Sequence, residues 1–391
     1  MILMIHLRDN LFLSKRVDYK IDDELKKFKA SFLDYKPDFK ILEEKARRFK
    51  NLKNIIVIGF GGSINNFKAI FYALNSNKNV FFVDTVEPEY LLKIKNECKP
   101  NESLIIAVSK SGDTLGVITN LLFFINSDYK NVICITQGGL LGEIALRMGF
   151  EILQHPDIGG RFSGLTESSL FPALVCGFNI RRIFEGAKSV YDDESLKKEI
   201  LELAKNFYYL ERKGYYEVFM SCYSQRFFGF SFLITQLVHE TFSKNGLGQT
   251  IFCCLGPESQ HESNQRFFGG RRNMIGFFVR IKNHISKRIR VPKKISKLSF
   301  KNKDLEVIDN FDLKDSLDFE LEGVLEHAEK EKIPFVVLEL DSFEEFGVGE
   351  FMAFWQLFAY YSALLRRQNP FDQPEVEFSK EQTLNKVLGR K

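Results

Sequence analysis

Short, continuous runs of apolar residues alternate with stretches that suit helices along most of the chain from residue 54 onward. Runs that are apolar at every position, rather than at every second one, indicate strands covered on both faces, as in a parallel sheet. Strands that alternate with helices in this way predict a doubly wound α/β fold. The predicted strands span residues 55–58, 80–83, 104–108, 132–135, 218–222, 250–254, 274–280 and 335–340.

The length of 391 residues predicts two domains, because a single hydrophobic core rarely grows beyond about 250–300 residues. Residues 1–44 are charged and helix-tolerant without a clear strand, and we expect them to form an extension laid on the first domain. We expect the remaining units to be a first domain over 45–195, a second over 196–369 and a C-terminal arm over 370–391. Helices are expected over 165–187, 196–210 and 348–367.

The composition is that of an ordinary globular protein, with 45% hydrophobic and 27% charged residues. The net charge of +4 is spread along the chain, which favours neither nucleic acid nor a membrane as a partner. The basic segment 280–303 is expected to be a solvated loop or edge. Six cysteines without a C-x-x-C pair predict buried thiols in a reducing compartment, and with no long apolar run we expect a cytoplasmic protein. The spacing of histidines and cysteines favours no metal, and we expect no cofactor.

A glycine-rich loop, GFGGS over residues 59–63, follows the first predicted strand and opens a helical stretch. Glycines let the backbone turn sharply and bring N–H groups to an anion at a helix N-terminus. A dinucleotide fold would use the same loop, and Asp84 ends the next strand where a ribose-binding acid would lie. Ile64, however, stands where the G-x-G-x-x-G pattern requires its third glycine, which disfavours a nucleotide.

A second loop, SKSGDT over residues 109–114, follows the strand 104–108 and also opens a helix. The hydroxyls of Ser109, Ser111 and Thr114 recur over one turn beside helix N–H groups, which together make a cage for a dianionic phosphate. Lys110 adds a positive charge. An ordinary helix N-cap would need only one of these hydroxyls.

Two further patterns complete the series, GGRFS over residues 159–163 and a tail that runs FDQ (371–373), VE (376–377) and Lys380. The four patterns in this order resemble the glucose-6-phosphate isomerase family over most of the chain. The resemblance implies two sugar isomerase (SIS) domains, each a three-layer αβα doubly wound parallel sheet, with helical N- and C-terminal extensions. It also implies that Gly62 and Ser63 face the sugar phosphate and that Ser109, Ser111, Thr114 and Gln373 bind it.

The resemblance extends to acid–base residues. It implies that Glu240, followed four residues later by Lys244, is the base, and that Arg161 stabilises an enediolate. His261 and Lys380 would open the sugar ring, and His261 would come from the partner subunit of a homodimer. The flanks depart from the family, because His239 and Ser243 replace glycines, and Pro374 and Glu375 replace an aromatic residue and a glycine. Glu258 remains a competitor for the role of base.

The function that follows from the resemblance is reversible isomerisation of glucose 6-phosphate to fructose 6-phosphate through a cis-enediolate, in glycolysis and gluconeogenesis. Two alternatives stay open. A non-catalytic regulator would keep the phosphate loop without needing Glu240, Arg161, His261 and Lys380 together. An isomerase of another hexose phosphate, such as mannose 6-phosphate, would differ only in pocket geometry that the sequence does not give.

Overall fold

The structure is a computed structural model that describes residues 5–11 and 19–389. Its two main sheets have five strands each, which confirms the predicted α/β class. The strands are β1 (Ile5–Asn10), β2 (Asn54–Ile58), β3 (Asn79–Val83), β4 (Ser103–Val108), β5 (Val132–Thr136), β6 (Glu151–Gln154), β7 (Glu217–Cys222), β8 (Thr250–Leu255), β9 (Met274–Ile281), β10 (Ser299–Phe300), β11 (Lys303–Asp304) and β12 (Phe335–Leu340).

The helices connect and cover these strands. In chain order they are α1 (Asp22–Lys27), α2 (Ser31–Asp34), α3 (Phe39–Arg47), α4 (Gly62–Ala73), α5 (Pro88–Glu97), α6 (Leu115–Ile125), α7 (Gly139–Met148), α8 (Glu167–Val175), α9 (Ile180–Asp192), α10 (Glu194–Arg212), α11 (Phe228–Phe242), α12 (Ser263–Gly269), α13 (Leu313–Lys330), α14 (Glu345–Leu365) and α15 (Glu377–Leu388). None of those within the described ranges is long and apolar enough to cross a membrane.

The first sheet is parallel throughout, in the order β3-β2-β4-β5-β6. All four strands predicted for this region are confirmed to within about one residue at each end. The fifth, β6, was not predicted, because its sequence EILQ has only two apolar residues and lies at the edge of the sheet, where one partner suffices.

The second sheet has the order β1-β12-β9-β7-β8, in which β1 is antiparallel and the others are parallel. The expectation that residues 1–44 contain no strand and lie on the first domain is wrong for β1. This strand pairs with β12, with Ile5 opposite Leu340. Helices α1, α2 and α3 occupy the rest of the described extension, while residues 1–4 and 12–18 of the extension and 390–391 of the arm lie outside the described residues.

Alternate residues of the buried strands face apolar clusters on opposite sides of their sheet. Each sheet is therefore covered on both faces, as the three-layer αβα arrangement requires. In β2, Ile55 and Val57 belong to a large cluster that also contains Val279 of the second sheet, whereas Ile56 and Ile58 face a separate cluster on the outer side of the first sheet. A third cluster covers the outer side of the second sheet. The large cluster is continuous between the two sheets, so a shared core fixes one domain against the other.

Helix α14 lies in that shared core, and all of its residues after Glu345 are buried. The helix expected over 165–187 is instead two helices, α8 and α9. Gly177 between them has φ of +91°, and the Asn179 side chain caps α9 by accepting from the N–H of Arg182. The break turns α9 so that it packs along α14.

This packing yields a stability prediction. A Cβ at Gly186 of α9 would lie 1.9 Å from the carbonyl oxygen of Phe346, whereas a Cβ at Gly323 of α13 would meet nothing within 4 Å. We expect Gly186→Ala to lower the free energy of unfolding by about 1–3 kcal/mol, because α9 and α14 must separate. Gly323→Ala should raise it by about 0.5–1 kcal/mol, since alanine favours a helix. Chemical denaturation of both variants checks this, and equal stability would contradict the packing described.

Candidate functional site

The two predicted anion loops lie side by side at one edge of the first sheet. They follow β2 and β4, which are parallel neighbours, so both carboxyl ends point the same way. Helix α4 starts at Gly62 in the first loop, and α6 starts directly after Thr114 in the second. The N–H groups of two helix N-termini therefore converge at this edge, which favours an anion.

The hydroxyls of the second loop are partly engaged with the loop itself. The buried Ser109 Oγ lies 2.9 Å from Thr114 Oγ1 and accepts from the N–H of Gly112. Ser111 and Thr114 are exposed, and the Ser111 Oγ accepts from the N–H of Asp113. Lys110 turns to Asp157, with its Nζ 2.6 Å from Oδ1, and this hydrogen bond lowers the pKa of the Asp157 carboxyl.

The first loop touches the segment that contains Arg161. A Cβ at Gly62 would lie 2.0 Å from the carbonyl carbon of Gly160, so only glycine permits this approach. The Asn66 side chain donates to the carbonyls of Gly62 and Gly160 at 2.7 and 2.8 Å. The turn Gly160–Leu165 is thereby fixed against α4.

Arg161 is buried, and all five of its N–H groups have acceptors. Nε donates to Thr241 Oγ1 at 2.9 Å, and Nη1 donates to Glu240 Oε2 at 3.3 Å and Gln373 Oε1 at 2.8 Å. Nη2 donates to the carbonyls of Pro370 and Asp372 at 2.6 and 3.0 Å. Burial lowers the pKa of this guanidinium, and the adjacent Glu240 carboxylate opposes that effect. A substrate oxygen would have to replace one of these acceptors to contact Arg161 directly.

Glu240 lies in the last turn of α11, with 29% of its side chain exposed. Its Oε1 accepts from Gln236 Nε2 at 3.1 Å, and Gln236 Oε1 in turn accepts from Asn65 Nδ2 of α4 at 3.0 Å. Glu240 is thus held between α4, which it reaches through Gln236, and Arg161. It lines a cavity of about 500 Å³ together with Gly61, Asn65 and Gln236.

The C-terminal arm continues from Arg161 toward the hydroxyl loop 109–114. Gln373 Nε2 donates to Glu377 Oε1 at 3.4 Å, and Lys380 Nζ donates to the same oxygen at 2.9 Å. Lys380 and Glu377 line a second cavity, of about 690 Å³, whose other wall includes Ser111 and Thr114. Lys380, to which the resemblance assigns ring opening, therefore faces the hydroxyl loop.

His261 is not brought to this group within the chain. It lies exposed in the turn Glu258–His261 after β8, and among the described residues it makes no hydrogen bond to Glu240 or Arg161. Glu258 is exposed in the same turn. His239, the departure next to Glu240, accepts from the N–H of Ile251 with its Nε2, and burial lowers its pKa. The bond to Ile251 orients its ring toward β8, and the side chain also lines the cavity beside Glu240.

Several residues of this network were not predicted as site residues, namely Asn65, Gln236, Thr241 and Asp372. Gln236 carried a signal, since it precedes Glu240 by four residues and must share its helix face. The carbonyl of Asp372 carried no such signal, because a residue of any type has a backbone carbonyl. In the part of the chain that the structure describes, no three His, Cys, Asp or Glu side chains converge as metal ligands.

Comparisons with known proteins bear on this arrangement. No family model matches the chain. A glucose-6-phosphate isomerase of Methanocaldococcus jannaschii is 28% identical over 355 residues, which cover 87% of this chain and 86% of the relative. A Thermus thermophilus crystal structure of a hypothetical protein is 25% identical with a TM-score of 0.81, covering 92% and 89% of the two chains.

A glucose-6-phosphate isomerase structure from Chlamydia trachomatis has a TM-score of 0.75 at 19% identity, covering 89% of this chain and 72% of that one. This likeness shows the fold. The resemblance to the glucose-6-phosphate isomerase family that the motifs suggested is confirmed by the relatives. The α/β fold with parallel sheets is confirmed by the structural neighbours, which are sugar isomerase structures.

The saturated guanidinium predicts an effect on stability. We expect Arg161→Lys to lower the free energy of unfolding by about 2–4 kcal/mol, because a lysine keeps the charge but leaves several buried acceptors without donors. Arg181→Lys is the matched control, since Arg181 is half-exposed and pairs with Glu43. Its effect should stay below about 1 kcal/mol. Equal losses in chemical denaturation would mean that the Arg161 donors contribute little.

Proposed function

We propose that this protein interconverts glucose 6-phosphate and fructose 6-phosphate by proton transfer between C2 and C1. The observation that supports this most directly is the hydrogen bond between Glu240 and Arg161 at one end of a network that reaches Lys380 beside the hydroxyl loop. A phosphate loop, an acid–base carboxylate and a fixed cation are the parts that an aldose–ketose isomerase needs. The names of the relatives support the same reaction.

The sugar phosphate binds first at the two loops. Its phosphate lies against the hydroxyls of Ser109, Ser111 and Thr114 and the N-termini of α4 and α6, where Gly62 and Ser63 present N–H groups. Lys110 and Gln373 complete the site. For Lys110 this means exchanging Asp157 for the phosphate, a small rearrangement because Asp157 is exposed. The phosphate then holds the sugar carbons between the hydroxyl loop and Glu240.

Ring opening must precede proton transfer, because the substrate is cyclic in water and the reacting carbon needs an adjacent carbonyl. One group removes the proton from the hydroxyl on C1 while another gives a proton to the ring oxygen. Lys380 and His261 take these roles in our proposal. Since His261 is exposed and apart from Glu240 within one chain, it acts at the site of the partner subunit in a homodimer.

Glu240 then removes the proton from C2 of the open aldose and returns it to C1. The electron pair passes to the carbonyl oxygen O1 and forms a cis-enediolate, so negative charge develops on oxygen near the base. The O2 proton then moves to O1, so that C2 becomes the carbonyl carbon as C1 accepts the proton from Glu240. Arg161 stabilises that charge. Its position is fixed in advance by five acceptors, of which three are side chains. A substrate oxygen could displace the two that bind Nη1, Glu240 and Gln373.

The proposal predicts that Glu240→Gln lowers kcat by roughly 10²–10⁴-fold, because the amide cannot accept the C2 proton. Glu258→Gln is the matched control and should retain wild-type turnover. The assay is conversion of fructose 6-phosphate by purified protein, with mannose 6-phosphate in parallel and circular dichroism to verify folding. Loss of turnover in Glu258→Gln alone would transfer the role of base to Glu258. Wild-type binding of fructose 6-phosphate without turnover would favour a regulator.

The shared site predicts complementation between subunits. When Glu240→Gln and His261→Ala chains are refolded together, half of the dimers are hybrids, and each hybrid has one site with both native residues. The mixture should regain about a quarter of wild-type activity. Mixing Glu240→Gln with Lys380→Ala is the control, since both residues act from one chain and no hybrid site is intact. Failure of the first mixture to exceed its parents would place His261 in its own chain's site.

A further inference from the structure

The turn 369–373 is held by two buried cations, of which the proposed mechanism uses only Arg161. The other is Lys244, which lies just beyond the end of α11 and is 5% exposed. Its Nζ donates to the carbonyls of Asn369 and Asp372 and to Asp372 Oδ1, each at 2.6 Å. An ammonium has three N–H donors, so all of them are used on this single turn.

The same turn supplies most of the acceptors of Arg161. The carbonyls of Pro370 and Asp372 bind Nη2, and Gln373 Oε1 binds Nη1. The Asp372 carbonyl thus accepts from both cations. Two positive charges this close repel each other, and the Asp372 carboxylate offsets that repulsion at Lys244. The conformation of the turn is therefore tied to the presence of the Lys244 ammonium.

Beyond the turn 369–373, the arm packs little against the core. Neither the turn Pro374–Val376 nor α15 has a buried residue within its described length. Phe371 does pack against Phe162 and Tyr360, which anchors the start of the arm. The position of Lys380 therefore depends on the conformation of the turn 369–373, which sets the direction of the chain after Gln373.

We propose that Lys244 is a positioning residue for the reaction: it fixes the turn 369–373 and through it the places of Gln373 and Lys380. This inference rests on the proposed function, since it assigns Lys244 to that same site. Lys244 itself contacts no substrate in this account. Displacement of the reacting groups by about 1 Å is enough to lower turnover substantially, and a turn without its ammonium has the freedom to move that far.

The test compares Lys244→Met with Asp372→Asn and Lys244→Arg. We expect Lys244→Met to lower kcat/KM by roughly 10- to 100-fold and to speed amide hydrogen exchange in peptides covering 369–389, while exchange in β9 stays unchanged. Asp372→Asn should act in the same direction but less, because both carbonyl acceptors remain. Lys244→Arg should restore part of kcat/KM by keeping a cationic donor.

Lys205→Met is the matched control, since Lys205 is also mostly buried and paired, with Glu202, but lies on α10. It should change neither readout. Faster exchange in the arm with wild-type kcat/KM would make Lys244 merely structural and overturn the proposal, as would unchanged exchange. If Lys244→Met fails to fold, kcat/KM and hydrogen exchange of Asp372→Asn decide the test. The Asp372 side chain is half-exposed, so its replacement costs the fold less.

A wild type without turnover would contradict the proposed function and not, by itself, the positioning role. In that case the dissociation constant of fructose 6-phosphate takes the place of kcat/KM, because Gln373 belongs to the binding site. Weaker binding by Lys244→Met, with faster exchange in the arm, supports the role. Equal binding by the two proteins overturns it.

Discussion

The guanidinium of Arg161 is buried, and a buried N–H without an acceptor costs about 1–3 kcal/mol. Its five donors find acceptors on α11, at Glu240 and Thr241, and on the C-terminal turn, at Pro370, Asp372 and Gln373. Satisfying one side chain therefore brings together two parts of the chain that lie about 130 residues apart in sequence. The contact of Gly62 with Gly160 adds the glycine loop at the start of α4 to the same point. Glu240, the glycine loop and the start of the arm that carries Lys380 thus meet around Arg161.

The fold prepares this convergence. Parallel strands bring the loops 59–63 and 109–114 to one edge of the first sheet, with a helix N-terminus at each. The apolar layer shared by the two sheets holds the domains in fixed relation, because neither could move without exposing it. Glu240 at the end of α11 is then within reach of Asn65 through Gln236. The buried apolar layer keeps the two sheets rigid relative to each other, and the hydrogen bonds orient the Glu240 side chain.

Much of the fold was predictable, because short runs of residues that are apolar at every position and alternate with helical stretches indicate buried parallel strands. β1 was not, since its partner β12 is more than 300 residues away and the alternation in IHLRDN is short. The hydroxyl loop was predictable from the spacing of Ser109, Ser111 and Thr114, and Lys380 only from the resemblance. The carbonyl acceptors of Arg161 and of Lys244 were out of reach, because backbone carbonyls leave no trace in a sequence. The orientation of His239 toward Ile251 likewise depends on tertiary contacts.

The central claim is that a carboxylate beside Arg161 moves a proton between C2 and C1 of an open sugar phosphate. The most direct test is to incubate fructose 6-phosphate with the wild-type protein in D₂O and to examine the glucose 6-phosphate formed by proton NMR. Glu240 is partly exposed and lines an open cavity, so its proton exchanges with solvent, and we predict deuterium at C2 of the product. Product that forms without deuterium at C2, even after repeated turnover to equilibrium, would contradict the account.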